Sequence, residues 1–114
     1  MKKIEAIIRP VKLDEIMVAL AVAGILGITI SYVHGFGRQK GYTLNCRGRE
    51  VNLYLLSKVK LQILTADERV EEVIGIIDKI AHTGQIGDGR IFDQNVDEVV
   101  SIRTSEQGEL AIRV

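Results

Sequence analysis

Displaced by 57 positions, half its length, the 114-residue chain partly repeats itself. KIEAII (Lys3 to Ile8) falls on KLQILT (Lys60 to Thr65), LDEIM (Leu13 to Met17) falls on VEEVI (Val70 to Ile74), and Gly27 falls on Gly84. Each half reads as a strand, a helix, a glycine-marked stop and a second strand. In the first half, Leu13, Ile16, Met17 and Leu20 keep helical spacing, with Gly24 and Gly27 near the end. Val70, Val73, Ile74, Ile77 and Ala81 do the same in the second, with Gly84 as the stop. Thr65 and Glu68 have the spacing of a capping box for that helix. Ile28, Ile30 and Tyr32 alternate with Thr29, Ser31 and Val33, and Val59, Leu61 and Ile63 alternate with Lys58, Lys60 and Gln62, as strands do. Ile91 to Asn95 is a shorter strand.

The order strand, helix, strand, strand, helix, strand predicts an α+β, ferredoxin-like βαββαβ sandwich, with an antiparallel sheet and both helices on one face. At this length we expect a single domain, residues 1–114. The core must be aliphatic, because 46% of residues are hydrophobic and only 4% aromatic. Ile28, Ile30, Leu61 and Ile63 are expected to leave the other sheet face apolar, and subunit association is one way to cover it. The stretch from Gly35 to about Ser57 becomes a loop between the central strands, far longer than a hairpin needs.

Fifteen basic residues balance fifteen acidic ones, so the general attraction that drives nucleic-acid or membrane-surface binding is absent. An RNA-binding module of the same strand order needs aromatic platforms on its central strands, and the chain offers only Tyr32 and Phe92. No apolar run approaches the ~20 residues of a membrane helix. The opening, MKKIEAIIRP, has no signal-peptide core, and Cys46 is the sole cysteine, so a cytoplasmic protein is expected.

Two stretches carry ligand chemistry. HTGQIGDGRIF (His82 to Phe92) places Gly84, Gly87 and Gly89 where exposed amides can cradle phosphate, beside Arg90. A plain helix-to-strand turn explains the same glycines, and neither a Walker loop nor a Rossmann fingerprint is present. GFGRQKG (Gly35 to Gly41) offers the cations Arg38 and Lys40, with Gln39 as an oxygen donor to a metal. Lys58 returns near Gln39 on a hairpin, and Arg103 in the tail is another anion contact. Each cation, taken alone, reads as a solvated charge. His34 and His82 are too few and too far apart for a metal cluster, and no nucleophile–base arrangement is evident, so no enzyme is expected.

Together, GFGRQKG (Gly35 to Gly41), TGQIGDGRIF (Thr83 to Phe92), SIRTSEQGE (Ser101 to Glu109) and the opening MKKIEAIIRPVKLDEI (Met1 to Ile16) resemble the PII nitrogen-regulatory signal-transduction proteins over nearly the whole chain. The resemblance implies a homotrimer with ATP or ADP in clefts between subunits. 2-Oxoglutarate then joins Mg-ATP and reshapes the long excursion, the family's T-loop. The nucleotide contacts it implies are Thr29, Gly35, Gly37, Arg38, Leu64, Gly87, Asp88, Gly89, Arg90 and Arg103. Thr29 and the Leu64 backbone would meet adenine. The Gly87 and Gly89 amides with Arg38, Arg90 and Arg103 would hold phosphates, Arg103 from a neighbouring subunit. Gln39, Lys40, Lys58 and Gly87 would meet 2-oxoglutarate, and Gln39 would coordinate magnesium. Implied partners are an ammonium channel, an enzyme of nitrogen metabolism or a transcriptional regulator, docked through the T-loop. Nucleic acid is not among them, and any membrane association would be recruitment to a transporter rather than insertion.

The chain departs from the family pattern at several points. Val51 stands where many bacterial members carry the uridylylated tyrosine, so that modification has no acceptor. Arg49 replaces a serine phosphorylated in another branch, and neither Tyr42 nor Tyr54 sits at the family position. Ser101 replaces a common arginine and Gln85 a common lysine, while Arg90 replaces lysine with a different fork geometry. The lost cations leave a second reading, a divergent PII-like module that senses adenine nucleotide without 2-oxoglutarate.

Overall fold

A computed structural model describes residues 1–37, 44–51 and 54–112. In chain order the elements are β1 (Lys2–Ile8), α1 (Leu13–Val22), β2 (Ile28–Gly37), β3 (Leu44–Cys46), β4 (Arg49–Val51), β5 (Tyr54–Thr65), α2 (Val70–Ala81), β6 (Arg90–Asn95) and α3 (Glu109–Ile112). Four strands form one antiparallel sheet in the order β2-β5-β1-β6, and β3 pairs with β4 as a separate hairpin. This is the ferredoxin-like architecture. The internal repeat is structural: β1 ends at Ile8 and β5 at Thr65, and the helices begin at Leu13 and Val70. Single 3-10 turns, Pro10–Lys12 and Asp67–Arg69, lead into them at the same offset. Pro10 suits a first turn because its missing N–H has no partner to lose there.

The pleat builds the core. Ile4, Ala6 and Ile8 of β1 and Val59, Leu61 and Ile63 of β5 are buried beneath Leu13, Ile16 and Leu20 of α1 and Val70, Val73 and Ile77 of α2. Ile16, Leu20, Leu61 and Ile77 are fully buried, each stabilising the fold by about 1.5–3 kcal/mol. α1 closes with Gly24 at φ +83 and Ile25 N–H donating to Leu20 O at 2.9 Å, the Schellman pattern. α2 ends earlier than its glycine implied: His82 is already extended, and Gly84 belongs to the following turn.

Several expectations are corrected. Ile28 stands opposite Ile63 and Ile30 opposite Leu61, so all four share the helix-covered face. The uncovered face carries Lys3, Glu5, Lys60 and Gln62, linked by Gln62 Nε2–H to Glu5 at 3.1 Å and a Lys60–Glu5 pair at 3.9 Å. It is a polar face. Alternation alone separates two faces without saying which one the helices take. The Thr65–Glu68 capping box does not form: no side chain caps the start of that turn, and Thr65 Oγ1 donates to Ala66 O instead. The excursion is shorter, because β2 and β5 stay paired out to Gly37 opposite Tyr54. β2 is an outer strand, not a central one. Tyr32 and Phe92 lie on the two outer strands and on opposite faces, Tyr32 beside Val59 and Phe92 beside Glu5, so they cannot form one stacking platform. No helix among the described residues is long and apolar enough to cross a membrane.

Candidate functional site

The turn between α2 and β6 is held from three sides. Its centre is the Asp88 carboxylate, which accepts hydrogen bonds from the Thr83 amide (2.8 Å), the Gly84 amide (2.9 Å) and the Thr83 hydroxyl. Arg9, just beyond β1, donates from Nε to the same carboxylate at 3.3 Å and from Nη2 to Ile86 O at 2.9 Å. These donors, the Thr83 hydroxyl foremost, hold the Asp88 carboxyl well below the usual carboxylate range against the opposing effect of desolvation. The carboxylate therefore serves the turn itself, and what Asp88 can present to a ligand is its backbone amide.

From the sheet side, Lys58 Nζ–H donates to Gly87 O at 2.6 Å. Burial, reinforced by repulsion from Arg9 and partly offset by Asp88, lowers the Lys58 pKa. Gly89 is required by the fold as much as by any ligand. It has φ +98, and a Cβ there would lie 1.7 Å from Ile7 O, so the turn rests directly on β1 where Arg90 pairs with Ile7.

Gly35, Lys58, Gly87, Gly89 and Arg90 converge on one open cavity of about 390 Å³, within the range of small-molecule sites. Ile7, Phe36, Leu56, Ile86 and Phe92 supply its apolar wall. Cations, turned amides and an apolar wall suit an anionic ligand with a less polar part. The cavity fits a metal only as a ligand-borne ion, because Asp88 is already engaged and no cluster of three acidic, His or Cys side chains occurs among the described residues.

The other expected contacts lie elsewhere. Thr29 is six positions back along β2 from Gly35, opposite Gln62, and Leu64 lies two residues beyond Gln62. At about 3.3 Å per residue, Thr29 is some 20 Å and Leu64 about 26 Å along the sheet from Gly35, on the same face. Arg103 is exposed in a turn closed by Ser101 N–H to Glu106 O (2.9 Å) and Ser105 N–H to Ser101 O (2.8 Å). Gly37 ends β2, while Arg38, Gln39, Lys40 and Tyr42 lie outside the described residues. Gln85 is exposed at the tip of the turn, its amide donating to Thr83 Oγ1 at 3.1 Å, and Ser101 is half-buried.

Arg9 and Thr83 were missed in the sequence. Their partners lie five to 79 residues away. The only signal for Arg9 was a cation placed at the end of a strand, immediately before a proline.

Comparison with known proteins identifies the family. The family model described as nitrogen regulatory protein P-II matches residues 1–106. Proteins named nitrogen regulatory protein P-II from Mesorhizobium japonicum and Azospirillum brasilense are each 54% identical over 112 residues, and that from Microchaete diplosiphon is 52% identical. Each alignment covers 98% of this chain and 100% of the relative. The chain belongs to the nitrogen regulatory protein P-II family, whose members are signal transducers rather than enzymes.

Proposed function

We propose that this nitrogen regulator reads its signals through adenine nucleotide, bound in clefts between copies of the chain assembled as a trimer. One observation carries the reading. Lys58, in the cavity, stands opposite Val33, four positions from Thr29, and is itself six positions from Leu64, so the two groups are roughly 13–20 Å apart along the sheet. A single nucleotide joins the two groups most simply if they come from different copies. The Gly87 and Gly89 amides with Arg38 and Arg90 would hold the phosphates, Thr29 and the Leu64 backbone the adenine, and Arg103 would reach in from a neighbour. Charge-assisted contacts of this kind are worth roughly 1.5–3 kcal/mol each, so three or four decide whether nucleotide stays.

With Mg-ATP bound, 2-oxoglutarate would enter beside Lys58, Lys40 and the Gly87 turn. Gln39 would hold the magnesium together with oxygens of the ligands, and the ion would neutralise phosphate and carboxylate charge crowded together there. Lys58 already donates to Gly87 O of the turn, so a carboxylate arriving at its ammonium would compete for that contact beside β2 and β5, the strands between which the excursion runs. An effector shifts that excursion only by its differential affinity for the two shapes. The shape would then select among an ammonium channel, an enzyme and a transcriptional regulator. Calorimetry with 2-oxoglutarate tests the effector assignment: heat is expected with Mg-ATP and none without it. Nucleotide binding with no 2-oxoglutarate heat in either case would leave the module that senses adenine nucleotide alone, the reading that Ser101 and Gln85 leave open.

A further inference from the structure

We infer that Arg9 is a positioning residue, which helps set the polarity of the phosphate turn by holding the Ile86 carbonyl and the Asp88 carboxylate while Lys58 holds the next carbonyl. This inference rests on the nucleotide reading above for its ligand, though not for its geometry. Arg9 Nη2 donates to Ile86 O at 2.9 Å, and Lys58 Nζ donates to the next carbonyl, Gly87 O, at 2.6 Å. In a trans peptide the N–H points opposite to the C=O, and no cis peptide occurs among the described residues. Fixing the Ile86 carbonyl therefore aims the Gly87 amide away from Arg9, and fixing the Gly87 carbonyl aims the Asp88 amide away from Lys58. Two successive amides turned outward make an anion-binding nest. Among the described residues neither amide has an acceptor.

Arg9 also anchors the far side of the turn. Its Nε donates to the Asp88 carboxylate at 3.3 Å, and that carboxylate in turn gathers the Thr83 and Gly84 amides. One planar guanidinium thus grips a carbonyl and a carboxylate in two fixed directions. A lysine in its place keeps the charge and loses the fork. The Arg9→Lys variant therefore separates positioning from simple charge.

The test titrates ADP, with no 2-oxoglutarate present, into the wild-type chain, Arg9→Lys and Arg9→Gln, and records amide NMR spectra of each without ligand. Thermal melts check that the variants fold, and Asp88→Asn provides a second way to loosen the grip. The expected result is an ADP affinity about tenfold weaker in Arg9→Lys, nearly as weak as in Arg9→Gln, with displaced Gly87 and Asp88 amide signals before any ligand is added. Unmoved signals, or wild-type affinity in Arg9→Lys alongside loss in Arg9→Gln, would overturn it. Should the wild-type chain take up no ADP while the amide signals still move in Arg9→Lys, the nucleotide reading fails and the positioning role stands.

Discussion

Lys58 Nζ lies 2.6 Å from Gly87 O, tying the middle of β5 to the turn ahead of β6 across 29 residues of sequence. The contact places a cation at the floor of the cavity and gives that cation an unusual titration. Desolvation, then the nearby Arg9 charge, pulls its pKa below the ordinary lysine value of 10.5, with Asp88 opposing.

The first expectation is a pH dependence of anion binding. A lysine with a lowered pKa loses its charge at lower pH than a free one. 2-Oxoglutarate affinity in the presence of Mg-ATP should therefore start to fall with rising pH before 10.5 is reached. In Lys58→Met this limb should vanish and affinity at pH 7 should drop about tenfold or more. Calorimetry between pH 7 and 10 checks both.

A second expectation concerns acid. The Asp88 carboxyl is depressed in the folded chain, so its stabilising effect is fully present above the unfolded aspartate value near 3.9 and fades as pH falls below it. Asp88→Asn removes that titration. Thermal melts from pH 5 down to pH 2 should show a steeper decline for the wild-type chain than for the variant.

The third is steric. At Gly89 a methyl group would meet Ile7 O at 1.7 Å, on a backbone with φ +98. Gly89→Ala should cost at least about 2 kcal/mol, measured by denaturant unfolding. At Gly84, where φ is +84 but nothing lies within 4 Å of an added Cβ, alanine should cost only the backbone strain, about 1 kcal/mol.

Truncating the core gives a fourth. Leu61 and Ile77 are fully buried on the two sides of the sheet–helix interface. Leu61→Ala or Ile77→Ala should each destabilise by about 2–5 kcal/mol, whereas Val18→Ala on the exposed side of α1 should change little. Chemical denaturation at fixed protein concentration compares the three.

Most of the fold was legible because it is written in local periodicity: Leu13, Ile16 and Leu20 mark one helix face, and Val59, Leu61 and Ile63 one strand face. The repeat at 57 positions went further, since strand ends, 3-10 turns and helix starts all coincide at that offset. What failed depends on tertiary pairing. Ile28 and Ile30 were placed on the uncovered face, because only the register with Ile63 and Leu61 shows where they point. Thr65 and Glu68 have the right spacing for a box, but a 3-10 turn intervenes before α2. The glycines of the turn were visible, and Lys58 was placed beside them by resemblance. Arg9 was not, because its partners Ile86 and Asp88 are distant in sequence and its function lies wholly in where its fork reaches.

The central claim is that copies of this chain together build the nucleotide site. Native mass spectrometry of the purified chain titrated with ADP tests it most directly. The account predicts a trimer that takes up as many as three ADP molecules, with no ADP on any monomer. A stable monomer that binds ADP by itself, or a trimer that binds none, would contradict it.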